Sequence, residues 1–131
     1  MKKRKILIAD DDRHIRMALR VRLQSWGFRV VESTDGLGVI DLAVREGVDA
    51  MVLDHEMPNG DGRTVARMIR KECDAPIIFL SGHEKEAFRD IVTSTPDVYF
   101  LPKPLDQVQL RALLEELLGA ARTGTEAEVA C

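Results

Sequence analysis

The chain contains no apolar run near the ~18 residues that a bilayer-spanning helix needs, so no transmembrane segment is expected. It also lacks a large excess of either charge: nothing in a net value of −3 suggests a general nucleic-acid or membrane surface. The basic run Lys2, Lys3, Arg4 and Lys5 is read as a solvated terminus. The apolar stretch behind it, Ile6 to Ala9, is too short for the hydrophobic core of a secretory signal. Cysteine is scarce, and Cys73 and Cys131 show no metal-ligand spacing, which points to a reduced, cytoplasmic protein in which Cys73 is a bystander. No internal repeat and no low-complexity segment is present.

What remains is an ordinary globular composition. At 131 residues, 45% apolar and 31% charged, the chain suits one domain with a sizeable core. Five short aliphatic runs, Lys5–Ala9, Phe28–Glu32, Ala50–Leu53, Pro76–Leu80 and Val98–Leu101, have the length of strands and the apolarity of strands buried on both faces. Helical stripes follow each. Ile15, Ala18, Leu19, Leu23 and Trp26 form the first, Leu37, Ile40, Ala43 and Val44 the second, and Val65, Met68 and Ile69 the third. Ala87, Phe88, Ile91 and Val92 form the fourth, in which Phe88, Ile91 and Val92 are read as core rather than partner surface, and Leu110, Leu113, Leu114 and Leu117 the last. Gly27, Gly47, the Pro58 to Gly62 turn and Thr95-Pro96-Asp97 punctuate them. Strict alternation predicts a doubly wound α/β domain: a parallel sheet, right-handed crossovers and helices on both faces. The pattern ends at Leu118, so residues 1–118 are expected to form the domain and 119–131 a frayed tail.

Ligands of such a sheet sit beyond the carboxyl ends of its strands, where strand order reverses. The residues there are Asp10, Asp11 and Asp12 after strand one, Asp54 after strand three, Ser81 after strand four and Lys103 soon after strand five. Two carboxylates ~4 Å apart repel by ~4 kcal/mol at an effective dielectric of about 20, so the acidic group calls for a cation. Oxygen-only donors favour a hard ion, and one or two carboxylates with water and phosphate oxygens suit Mg²⁺ better than Ca²⁺. A carboxylate, a metal, a lysine and a hydroxyl together describe a phosphoryl-transfer site. Asp12, immediately before the first helix, is read as its N-cap.

The stretches "ILIADDD", "VLDHEMPNGDG", "IIFLSGH" and "FLPKP" resemble, in order and spacing, the four signatures of the response-regulator receiver domain of two-component signalling. The resemblance spans roughly residues 5 to 118. It implies a flavodoxin-like five-stranded parallel sheet of order 2-1-3-4-5. It makes Asp54, the aspartate before "xxMPxxxG", the phosphoacceptor. Asp11 would bind Mg²⁺ directly, Asp10 through water, and the Glu56 backbone carbonyl would be a further ligand. Ser81 stands for the hydroxyl that bonds the phosphoryl group and Lys103 for the lysine that pairs with it. The Lys103–Pro104 peptide is expected to be cis. Phe100 falls on the switch aromatic, which turns into the space that Ser81 leaves and alters the surface of the fourth helix, fifth strand and fifth helix. Glu56 and His83 flank the phosphoryl group and are expected to tune its lifetime; His14 and His55 have no metal spacing.

The sequence departs from the usual pattern at Gly82, commonly Ala, at Leu105, often aromatic, at Phe100, commonly Tyr, and at Thr95-Pro96-Asp97, often Gly-Ala-Asp. The resemblance implies a signalling phosphoacceptor, not an enzyme in its own right, fed by a histidine kinase or histidine phosphotransfer protein. It would act on a downstream protein, with a phosphorylation-dependent homodimer as one outcome. No basic recognition helix follows Leu118, so no nucleic acid is expected as a direct ligand. Met1, just before the first strand, favours a natural start there over a receiver cut from a longer chain. Two competing classes fit less well. A phosphatase of the haloacid dehalogenase type would carry its nucleophile after the first strand, whereas Asp54 follows the third. A docking module that is no longer phosphorylated would not be expected to keep the acidic pair, Asp54, Ser81 and Lys103 together.

Overall fold

The computed structural model describes residues 3–57, 60–82, 92 and 94–119. Five parallel strands form the main sheet: β1 Lys5–Ala9, β2 Arg29–Ser33, β3 Ala50–Asp54, β4 Ile77–Ser81 and β5 Val98–Pro102. Their order is β2-β1-β3-β4-β5, as expected for a flavodoxin-like receiver. The chain leaves β1 for the β2 edge and returns past β1 to β3, placing the reversal of strand order between the carboxyl ends of β1 and β3. Four of the five strands lie one residue from the expected bounds at one end or both; Lys5–Ala9 agrees at both. The shifts matter at β3 and β4, which include Asp54 and Ser81 as their last residues.

The strands are apolar throughout because both faces are covered. Alternation sends Leu7, Ala9, Met51, Leu53, Ile77 and Phe79 into one core and Ile6, Ile8, Ala50, Val52, Ile78 and Leu80 into the other. Helices α2 (Gly36–Glu46) and α3 (Gly62–Glu72) cover the first core with Val39, Ala43, Val65 and Ile69. Helix α1 (Arg13–Ser25) and the C-terminal helix (Gln107–Leu114) cover the second with Leu19, Leu23, Leu110 and Leu114. Each fully buried Leu, Ile or Phe contributes roughly 1.5–3 kcal/mol by leaving water. Asp12 caps α1, accepting from the backbone N–H of His14 at 2.8 Å and of Ile15 at 3.4 Å. Gly47 ends α2 in a left-handed conformation, φ 64°, which costs glycine little.

The helical stripes prove wider than the faces they bury. Ile15 and Leu37, in the first turns of their helices, are exposed, as is Ala18. Val44 and Met68 lie on helix flanks, also exposed. Val92 is 46% exposed rather than core, and Ala87, Phe88 and Ile91 lie outside the described residues. Lys5 does not belong to a solvated terminus: its N–H donates to Asp49 Oδ2 at 2.8 Å and its Nζ to the Glu46 carbonyl at 3.0 Å. The C-terminal helix runs into a π-turn, Glu115–Gly119, in which Leu118 is still buried. Residues 120–131, most of the expected tail, lie outside the described residues.

Candidate functional site

Three carboxylates meet at the reversal point. Asp10 follows β1, Asp11 comes next and Asp54 ends β3. One oxygen from each lies within 4.8 Å of the other two. Asp10 and Asp54 are buried, at 2% and 4% exposure, and Asp11 is exposed. Asp10 Oδ1 accepts from the Asp12 N–H at 2.9 Å, while its buried Oδ2 has no hydrogen-bond partner among the described residues. Burial raises the Asp10 carboxyl to about pKa 6; the charges of Asp54 and Asp11 push the same way, against the Asp12 N–H and Lys103.

Opposite the acids stands one ammonium. Lys103 Nζ lies 2.8 Å from Asp54 Oδ1, and the Lys103 N–H donates to the Ser81 carbonyl at 2.7 Å. The Lys103–Pro104 peptide is cis. Ser81, 8% exposed, is one residue beyond Leu80, the register partner of Asp54, so its hydroxyl belongs to the same rim. Glu56 opens a two-residue antiparallel ladder, paired with Asp61, directly after β3. The Glu56 side chain and all of His83 lie outside the described residues. Phe100 lies in the middle of β5, stacked on Phe79 with ring centres 5.3 Å apart.

Sequence reading missed several supports. Arg16, one turn into α1, donates from Nη1 to the Asp10 carbonyl at 2.8 Å and lies 3.5 Å from Glu32, which Arg20 also contacts at 2.8 Å. It thus ties the acidic loop to α1 and β2. His55, read from the sequence only as a histidine without metal spacing, is half-buried, and its ring meets Phe79 at 5.8 Å and Phe100 at 6.3 Å. The usable signal was its place between Asp54 and the turn; its neighbours come from strands far away in sequence.

The donor set fits a hard divalent cation. All three groups are oxygen donors, two are buried, and an orphaned buried carboxylate oxygen has unspent acceptor capacity that a metal or its water satisfies. Among the described residues, Lys103 sets a fixed cation against the Asp10, Asp11 and Asp54 carboxylates, an arrangement suited to holding a phosphoryl group.

This fold and rim define a flavodoxin-like α/β domain with an acidic cluster at its switch point. Residues 6–115 match the family described as the response regulator receiver domain, and the chain belongs to that family. Among curated relatives, the response regulator MprA of Mycobacterium avium is 34% identical over 125 residues, covering 95% of this chain and 55% of that protein. The sensor kinase CckA of Brucella abortus is 34% identical over 116 residues, 86% of this chain but 12% of its own length. The chain therefore spans about half the length of the response regulators it matches. Among solved structures, a response regulator receiver protein from Sinorhizobium medicae superposes with TM-score 0.79 at 30% identity, covering 91% of this chain and 97% of that one. The receiver domain of the sensor histidine kinase PA1611 from Pseudomonas aeruginosa, solved with a magnesium ion in its active-site cleft, gives TM-score 0.80 at 26% identity, covering 91% and 100%. No helix among the described residues is long and apolar enough to cross a membrane.

Proposed function

We propose that this receiver takes a phosphoryl group from a phosphohistidine of a histidine kinase or phosphotransfer protein onto Asp54. The observation that carries the reading is the placement of buried Asp54 between Lys103, at 2.8 Å, and the carboxylates of Asp10 and Asp11. An Asp54 oxygen attacks phosphorus; the phosphorus–nitrogen bond breaks and the imidazole leaves. Lys103, already paired with Asp54, moves its charge onto the incoming phosphoryl oxygens, and the Ser81 hydroxyl donates to another. Asp10, Asp11, Asp54 and the Glu56 carbonyl would hold Mg²⁺, which when bound neutralises charge on the phosphoryl oxygens. The chain acts as a cytoplasmic signalling phosphoacceptor rather than an enzyme with its own small-molecule turnover. It signals to a downstream protein by the response of Phe100 and the β5 surface, and binds neither DNA nor membrane itself. Glu56 and His83 set how long the acyl phosphate survives.

The test is chemical localisation of the modified residue. After incubation with Mg²⁺ and acetyl phosphate, borohydride reduction and peptide mapping should find homoserine at position 54. Reduction at another acidic residue, with Asp54 intact, would refute the assignment.

A further inference from the structure

We propose that His55 is a positioning residue that couples the state of Asp54 to the position of Phe100. The inference rests on the reading of Asp54 as acceptor and Phe100 as switch aromatic. His55 is the residue after Asp54, and its N–H donates to the Leu80 carbonyl at 3.0 Å, pinning its backbone to β4. Its ring meets Phe79 at 85° and Phe100 at 62°, while Phe79 and Phe100, register partners on β4 and β5, stack at 23°. The edge-to-face geometry favours the ring contacts beyond simple burial.

The ring is also crowded by Gly62, the first residue of α3. A Cβ at position 62 would stand 2.5 Å from His55 Cδ2, 2.9 Å from Nε2 and 3.4 Å from Phe79 Cε1. Less than a methyl group of space therefore separates the ring from the helix. His55 is wedged between the α3 backbone and the two phenyl rings, so a move of Phe100 changes the packing of a residue covalently next to Asp54. Coupling of this kind is reciprocal: if occupancy at Asp54 shifts Phe100, the state of Phe100 shifts affinity at Asp54.

A double-mutant cycle tests the coupling, with beryllofluoride and Mg²⁺ as the phosphoryl mimic and fluorine NMR as the readout. Phe100→Ala in the natural background should change beryllofluoride affinity by about twofold to tenfold, the range expected for an aromatic contact. In the His55→Ala background the same substitution should leave affinity nearly unchanged. A purely structural His55 would lower thermal stability but leave the Phe100 effect equal in both backgrounds, and that equality would overturn the inference alone. Gly62→Ala presses on the ring from α3 and offers a second route should His55→Ala fold poorly. It should shift affinity when Phe100 is present and not when it is Ala; an equal shift in both overturns the inference. Absence of beryllofluoride binding by the natural chain would instead overturn the acceptor reading, and this inference with it.

Discussion

Lys103 reaches across the rim to Asp54: its Nζ stands 2.8 Å from Oδ1 of a carboxylate that is almost wholly buried, while its backbone N–H holds the Ser81 carbonyl at 2.7 Å. One residue therefore ties β5 to the last residues of both β3 and β4. Replacing Lys103 with Ala should slow phosphorylation by acetyl phosphate on the order of 100-fold, as expected when one preorganised partner of a developing oxyanion is lost. A quench time course of acyl-phosphate formation reads this, and an undiminished rate would remove Lys103 from the mechanism.

The buried Asp10 carboxyl makes the metal-free fold sensitive to pH. Its folded pKa, raised from 3.8 to about 6, means that the folded state prefers the protonated acid. The ionised form is disfavoured by folding, so this group's contribution to stability falls as pH rises from about 4 to about 6 and is level above that. Asp10→Asn should accordingly raise the stability of the metal-free protein at pH 7 by on the order of 3 kcal/mol. Thermal melts from pH 4 to pH 8 should show the two proteins converging in acid. Added MgCl₂ should stabilise the natural chain more than the variant.

Arg70 makes the turn before β5 depend on α3. Its Nε donates to the Pro96 carbonyl at 2.8 Å, Nη2 to the Asp97 carbonyl at 2.9 Å and Nη1 to the Cys73 carbonyl at 3.2 Å. The turn it holds contains Asp97 at φ 55°, a left-handed conformation uncommon outside glycine. Arg70→Ala should cost about 1–3 kcal/mol, since three hydrogen bonds to a charged donor are lost in a partly exposed place. Denaturant unfolding measures the loss, and Mg²⁺ affinity should not move.

Gly82 is open to a side chain. A Cβ there meets nothing within 4 Å among the described residues, and its φ lies outside the left-handed range. Gly82→Ala should therefore be neutral or stabilising by up to about 1 kcal/mol, through the smaller entropy of the unfolded chain. A destabilisation above that size in chemical unfolding would show that the backbone after Ser81 needs glycine.

The sheet and its rim were legible because β1, β3 and β4 are buried on both faces, which leaves aliphatic runs with polar residues at their ends. Asp12 was legible as a cap for a local reason: its partners are the N–H groups two and three residues on. The faces of the helices were not, because a stripe such as Leu37, Ile40 and Val44 spans more of the helix than the sheet can cover. The contacts of Arg70 and His55 were missed because they join segments far apart in sequence, and that of Arg16 because no helical spacing shows a side chain turning back to the Asp10 carbonyl. No periodicity or motif brings the Arg70 guanidinium to Pro96 and Asp97, or the His55 ring to Phe100.

Intact mass after incubation with Mg²⁺ and acetyl phosphate, beside an Asp54→Asn variant and a sample with EDTA, bears most directly on the central claim. The natural chain should gain one alkali-labile phosphoryl group, and neither control should gain any. A phosphoryl group of equal extent on the Asp54→Asn variant, or an unmodified natural chain even under rapid quench, would contradict the account.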